Sequence, residues 1–149
     1  STGSKKNHTN HKNVKYIKGE NINISKILKK YKNKIKVIFH FGEFSRIYQS
    51  FLNTKECINT NIYNSFEVIN FVNENKIKII YSATSSALGN NGKDQNQSPY
   101  AWSKTKNIEL IKNYSQWFGL KYELVFFYNV YGPNQIRNGP TSAIIGIFE

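Results

Sequence analysis

The chain has 149 residues, 39% of them hydrophobic, enough for one domain with a real core. It carries 21 Lys and Arg against nine Asp and Glu, a net charge of +12, with Glu20 the only acid in the first 36 positions. A nucleic-acid-binding arm is the tempting reading, but no binding motif interleaves with the charges, so the lysines read as solvated faces in a Lys-, Asn- and Ile-rich chain and no nucleic-acid partner is expected.

No apolar run is long enough to span a membrane and no signal peptide is visible, so no membrane partner is expected. The single cysteine, Cys57, rules out an internal disulfide framework and fits a reducing, cytoplasmic setting. It reads as a small helix residue, since no base adjoins it.

Residues 1–13 are polar and read as loop. Residues 14–18 alternate and predict a short strand ending at Gly19-Glu20. Ile24, Ile27, Leu28 and Tyr31 recur at helical spacing with lysines between them, which predicts an amphipathic helix on a sheet. The run Val37, Ile38, Phe39, His40, Phe41 predicts a parallel strand buried on both faces, with Gly42 at its end. His40, inside that run, reads as a satisfied core histidine. Ile58, Ile62, Phe66, Ile69 and Val72 mark a second helix, and residues 76–82 another buried strand.

The loop that follows holds Gly89, Asn90, Asn91, Gly92 and Pro99, all turn formers. Pro99 suits a helix start, and that helix should run through Ile108 and Ile111 to about Phe118, with Gly119 as its stop. Residues 122–128 predict the next strand, 129–138 a loop, and 144–148 the start of a further element. Alternating strands and helices predict an open α/β sheet with parallel crossovers. Ligands of such sheets sit at the carboxyl ends of the strands, where Gly42, residues 82–85, Tyr128 and Asn129 should line one rim.

The chemistry concentrates between residues 82 and 104. Tyr100 and Lys104 are four residues apart, which puts both on one face of a helix. An ammonium held there favours the phenolate and lowers the tyrosine pKa from about 10. A hydroxyl from the Ser82-Ala83-Thr84-Ser85-Ser86 strand end would complete a group able to take a proton from a substrate alcohol.

On these residues the chain resembles the extended short-chain dehydrogenase/reductase family, specifically its nucleotide-sugar epimerases and dehydratases. Tyr100 and Lys104 match the family's Tyr-x-x-x-Lys pair, Thr84 ahead of Gly89 its catalytic Ser/Thr, and Asn61 its supporting asparagine. Asn129-Val130-Tyr131-Gly132-Pro133 repeats a family loop, Phe41-Gly42 resembles the strand end beside the cofactor, and Gly19-Glu20 the Gly-Asp pair that reaches the adenine. The resemblance implies a Rossmann-like doubly wound parallel sheet and NAD as cofactor, with NADP not excluded. It implies catalytic Tyr100, Lys104, Thr84 and Asn61, the last holding a relay water or the helix geometry near Lys104. Cofactor contacts would come from Glu20, Phe41, Gly42, Ser82, Tyr100, Lys104 and Phe127. Thr84, Ser85, Ser86, Tyr100 and Asn129 would meet a nucleotide-sugar substrate, no metal is implied, and a homodimer is expected.

The family's Gly-x-x-Gly-x-x-Gly loop and its ribose-reading acid are not in this sequence, and the chain lacks methionine, so an internal piece of a longer protein is expected: residues 1–149 as a partial dinucleotide-binding domain, with substrate-binding sequence beginning near 129. Such a piece alone should bind NAD poorly, for want of the helix N-terminus that takes the pyrophosphate. Family dehydratases carry Asp-Glu directly after the catalytic Thr. Ser85 and Ser86 stand there and cannot do that acid/base work, which favours epimerisation through a keto-sugar; a dehydratase, a decarboxylase, a keto-sugar reductase and a non-catalytic binding domain stay open. Glu43 is the one carboxylate near the site, read as either an added functional group or a helix N-terminal acid.

Overall fold

Residues 7–132 are described by the computed structural model. Gly19–Phe127 forms one compact unit. It holds three strands, β1 (Val37–His40), β2 (Lys78–Thr84) and β3 (Tyr122–Phe127), and the helices α1 (Ile24–Leu28), α2 (Ile47–Leu52), α3 (Thr54–Ile58), α4 (Asn64–Glu74) and α5 (Pro99–Phe118). The strands pair in the order β1-β2-β3, all parallel, with His40 opposite Tyr81 and Thr84 opposite Phe127. This is the expected Rossmann-like α/β arrangement, and every strand ends on the same rim.

The central strand explains the packing. Ile79, Tyr81 and Ala83 alternate onto one face and are buried against Val68, Ile69 and Val72 of α4 and Ile108 and Ile111 of α5. The opposite face is different. Phe39 and Phe41 stay 63% and 47% exposed, so the apolar β1 run is not buried on both faces as expected, because the helices that supply the core lie on the other side.

Helix α3 continues into α4 through a π turn at Asn59–Tyr63. A π turn adds a residue and changes the phase of the buried stripe. Ahead of α4's apolar residues, that stripe is therefore Cys57, Asn61 and Ser65, while Ile58 and Ile62 are half-buried and Phe66 is exposed. The apolar periodicity thus located the helix but misplaced its inner face over this stretch. Helix α2, which the sequence did not announce, packs on α5. The 89–96 loop uses its turn formers as expected: Asn90, Asn91 and Gly92 all have positive φ, at 50°, 52° and 82°.

Residues 7–18 and 128–132 belong to a second unit. No strand forms over 14–18; Tyr16 is instead held locally, its ring stacked on His8 at 3.8 Å and its hydroxyl accepting from the Thr9 N–H. The expected element at 144–148, and the loop beyond Gly132, lie outside the described residues.

The start of α5 is closed as its sequence dictates. Ser98 caps it, the side-chain oxygen accepting the Ala101 N–H at 3.0 Å; Pro99 occupies the first turn, where its missing donor costs nothing; and Gly119 ends the helix at φ 71°. Ser98→Ala is expected to lower stability by about 1 kcal/mol, read as a shift of the urea midpoint at unchanged m-value.

Candidate active site

Helix α5 begins beside the end of β2, and this brings Tyr100 to Thr84. There the Thr84 hydroxyl acts on the Tyr100 phenol and favours its ionised form. Thr84 is 3% exposed and caps the short 310 turn Ser85–Ala87, its oxygen accepting the Ser86 N–H at 3.2 Å. Ser50 of α2 fixes the Tyr100 backbone, its hydroxyl oxygen accepting the Tyr100 N–H at 3.2 Å. Ser85 and Ser86 are half-buried beside this pair.

Lys104 lies one turn further along α5, on the buried face. Its ammonium does not hydrogen-bond Tyr100. It is ion-paired with Glu43 and donates to the Ser82 hydroxyl at 3.1 Å, lying 4.3 Å from the Tyr81 ring centre. Both charged side chains are almost fully buried, Lys104 at 4% and Glu43 at 2% exposure. Ser82 in turn donates to the His40 carbonyl across the β1-β2 pair.

Glu43 follows β1 and is where the polar side chains converge. Oε1 accepts from Ser65 at 2.6 Å, Tyr81 at 3.1 Å and Asn107 at 3.1 Å, while Oε2 takes Lys104. The His40 Nε2 lies 3.6 Å from Oε1 and 2.8 Å from the Ser65 hydroxyl. Because Ser65 gives its one proton to Glu43, Nε2 is the protonated ring nitrogen and donates to Ser65. His40 is thus the satisfied core histidine the sequence suggested. Helix α2 starts at Ile47 with Arg46 as its cap, so Glu43 is no helix N-terminal acid.

Asn61 makes no hydrogen bond to the Lys104 side chain but meets α5 on either side of it, at Ser103 and Asn107. It sits in the π turn and clamps the backbone of Phe44, accepting its N–H at 2.7 Å and donating to its carbonyl at 3.1 Å, with a third bond to Ser103 at 3.0 Å. The Asn61 carbonyl accepts from Asn107. Asn61 thereby fixes the residue next to Glu43 and acts on Lys104 at one remove.

The electrostatics follow from burial. Burial pushes the Tyr100 phenol above its ordinary value; the Thr84 hydroxyl and Arg46 oppose this, while Glu43 pushes it further. Lys104, expected to lower it, is ion-paired with Glu43. Burial lowers the Lys104 pKa, with Glu43 opposing. The Tyr81 phenol is raised well above the ordinary value, first by burial and then by Glu43. Burial lowers His40, Glu43 opposing and Lys104 adding to the effect.

Phe41 packs edge-on against Phe39 and Phe127, at 5.9 and 5.3 Å between ring centres. Gly42 accepts from Asn21 through its carbonyl, and Glu20 is exposed at the start of the turn leading to α1. Asn129 is exposed and belongs to the second unit. Sequence reading missed Ser65, Tyr81 and Asn107. Asn107 carries a faint signal: it lies three residues after Lys104 and ahead of the apolar Ile108 and Ile111 on the same helix. Ser65 likewise follows Asn61 by four.

Two measurements test this electrostatic picture. Glu43→Ala leaves Lys104 buried without its counter-charge and is expected to cost about 3–5 kcal/mol in denaturant unfolding. Breaking the exposed Lys78–Glu123 pair by Glu123→Ala should cost no more than about 1 kcal/mol. His40 binds its proton below 6.5 when unfolded and less readily when folded, so the unfolded state takes up more protons as pH falls below 6.5 and stability declines there. His40→Gln should remove that slope between about pH 6.5 and 5.

The sequence matches the NAD dependent epimerase/dehydratase family over residues 1–148. No curated protein is similar enough in sequence to match. Among solved structures, the chain is similar to the UDP-N-acetylglucosamine 4-epimerase of Methanobrevibacter ruminantium M1 in complex with UDP-N-acetylmuramic acid, with 27% identity and a TM-score of 0.87 over 99% of this chain and 51% of that one. The UDP-glucose 4-epimerase of Thermotoga maritima with UDP-glucose gives 23% and 0.86 over 99% and 51%. The dTDP-glucose 4,6-dehydratase DesIV of Streptomyces venezuelae, with NAD and TYD bound, gives 21% and 0.69 over 78% and 39%. The chain spans about half the length of the first of these. A tyrosine brought beside a threonine at the end of a parallel strand, a lysine one helical turn on, and a sequence match over nearly the whole length lead to one assignment: this chain belongs to the NAD dependent epimerase/dehydratase family.

Proposed function

We propose that the complete protein is an epimerase that inverts a ring carbon of a nucleotide sugar by way of a keto-sugar. The observation that carries this reading is Tyr100 brought beside Thr84 at the end of β2, with Ser85 and Ser86 in place of acidic residues behind it. Bound NAD supplies the hydride acceptor for the oxidation and the donor for the return. In this reading Tyr100 takes the proton of the sugar hydroxyl, and Thr84 hydrogen-bonds the same oxygen as its charge changes. Ser85 and Ser86 orient the sugar by hydrogen bonds. Neither can remove a proton from a neighbouring carbon or protonate a leaving hydroxyl at neutral pH, so the keto-sugar keeps its water. Glu43 does not supply that missing acid, because its oxygens are already occupied by Lys104, Ser65, Tyr81 and Asn107.

The residues at the strand ends suit the nicotinamide end of a dinucleotide. Lys104, Tyr100 and Ser82 offer hydrogen-bond donors of the kind that ribose hydroxyls accept from. Phe41 and Phe127 offer exposed apolar rings for a flat heterocycle. Glu20 would reach the adenine and Asn129 the sugar or its phosphate; Gly42 leaves room, since a Cβ there would meet only Asn21, at 3.9 Å. Large apolar side chains exposed on the helices, Phe66 on α4 and Trp102 on α5, with Tyr63 in the π turn, are those a second copy would cover in a homodimer. The setting proposed is cytoplasmic; no described helix is long and apolar enough to cross a membrane.

UDP-glucose and UDP-N-acetylglucosamine, incubated with the complete protein and NAD, should yield the 4-epimer by proton NMR with no loss of water. Tyr100→Phe should lower kcat by about 10²–10⁴-fold while NAD binding persists. Undiminished turnover in that variant would remove Tyr100 from the mechanism.

A further inference from the structure

The family's tyrosine and lysine are both present here, yet the lysine is turned to a carboxylate. Four separate elements build the receptor for that carboxylate. His40 and Glu43 come from β1 and the loop after it, Ser65 from α4, Tyr81 from β2, and Lys104 and Asn107 from α5. Asn61 fixes the backbone immediately after Glu43 through both polar groups of Phe44. A carboxylate buried to 2% exposure and enclosed by donors is a built feature, and its one charged donor is Lys104.

We propose that Glu43 is the positioning residue of this site: it claims the Lys104 ammonium, so that the lysine acts on Tyr100 and on a bound ligand's hydroxyls only as far as that ligand draws it off the carboxylate. This rests on the reading of Tyr100 as the base. The ligand chemistry able to compete is a vicinal diol, such as a ribose, which gives the ammonium neutral acceptors without a second charge. The groups that act on Tyr100 include Thr84 at the end of β2, Cys57 on α3, Arg46 at the start of α2, and Glu43, whose charge disfavours the phenolate.

The consequence differs from that of a simple Tyr–Lys pair. If Lys104 alone tuned Tyr100, removing lysine and glutamate together would make the phenol harder to ionise. With the lysine paired to Glu43, its effect on Tyr100 is offset by the carboxylate: removing both leaves the phenol's ionisation nearly where it was, and removing the carboxylate alone frees the ammonium and makes the phenol easier to ionise.

The test is an ultraviolet titration of the complete protein, with the Tyr100 phenolate isolated as the difference between each protein and its Tyr100→Phe counterpart. It needs no turnover, so it stands apart from the fate of the epimerase reading. Glu43→Gln should ionise Tyr100 at a pH lower by about one unit, a tenfold change in phenolate fraction. Should burial of an unpaired lysine prevent that variant from folding, the neutral double variant Glu43→Gln/Lys104→Met carries the test and should ionise Tyr100 within about 0.3 of a pH unit of the wild type. An unchanged or higher ionisation pH in Glu43→Gln, or a clearly higher one in the double variant, overturns the proposal. Adding NAD to the wild type should lower the ionisation pH by more than it does in the double variant; equal shifts would likewise overturn it.

Discussion

The site depends on burying one lysine beside one glutamate. Taking two charges out of water costs several kcal/mol for each, and their attraction repays this only when geometry is good and the remaining lone pairs are satisfied. Here they are. Ser65, Tyr81 and Asn107 complete the Glu43 carboxylate, and Ser82 takes a second proton of the Lys104 ammonium. Each strut comes from a different part of the fold, so β1, β2, α4 and α5 can meet in only one register without stranding a charge. The π turn belongs to the same constraint: it turns Asn61 onto Phe44 and places Ser65 one turn later against Glu43.

How much of this was legible in the sequence follows from the range of each interaction. The parallel sheet, the Pro99 start of α5 and its Gly119 stop obey rules that act within a few residues, and all were readable. So was the spacing of Tyr100 and Lys104 on one helix. The direction in which Lys104 points was not, because its partner lies 61 residues earlier, and Asn107 meets Glu43 across 64. The stripe Ile58, Ile62, Phe66 misled for a related reason. In the first half of that helix the inward positions are given to Cys57, Asn61 and Ser65, which pack closely on α5 and serve the polar network, so hydrophobicity marks the wrong face. Residues 14–18 alternate as a strand should, but alternation makes a strand only where another strand offers its edge.

The same network separates two tyrosines, Tyr81 and Tyr100. Tyr81 and Tyr100 both have raised pKa values, and burial is the first cause in each. Tyr81 donates to Glu43 and has the lysine over its ring, so it is committed to holding the carboxylate. Tyr100 lies by Thr84 at the end of the strand and is the less buried of the two. Two tyrosines close in space thus have different work because one faces the charge pair and the other faces the rim.

A tyrosine pKa held up by burial and by Glu43 looks at first like a poor choice for a base. For a reaction that only removes a proton, it would be. The proposed epimerisation would take a proton from a hydroxyl and then return one to the same oxygen, so the tyrosine would serve as base and acid within one turnover. A phenolate stabilised too strongly would speed the first half and slow the second, and the most effective group is one whose affinity for the proton is balanced between the two. On the proposed role of Glu43, a lysine shared with a carboxylate would provide that balance better than a lysine committed to the phenol, because its charge would be lent to Tyr100 while ligand is present and withdrawn when it leaves.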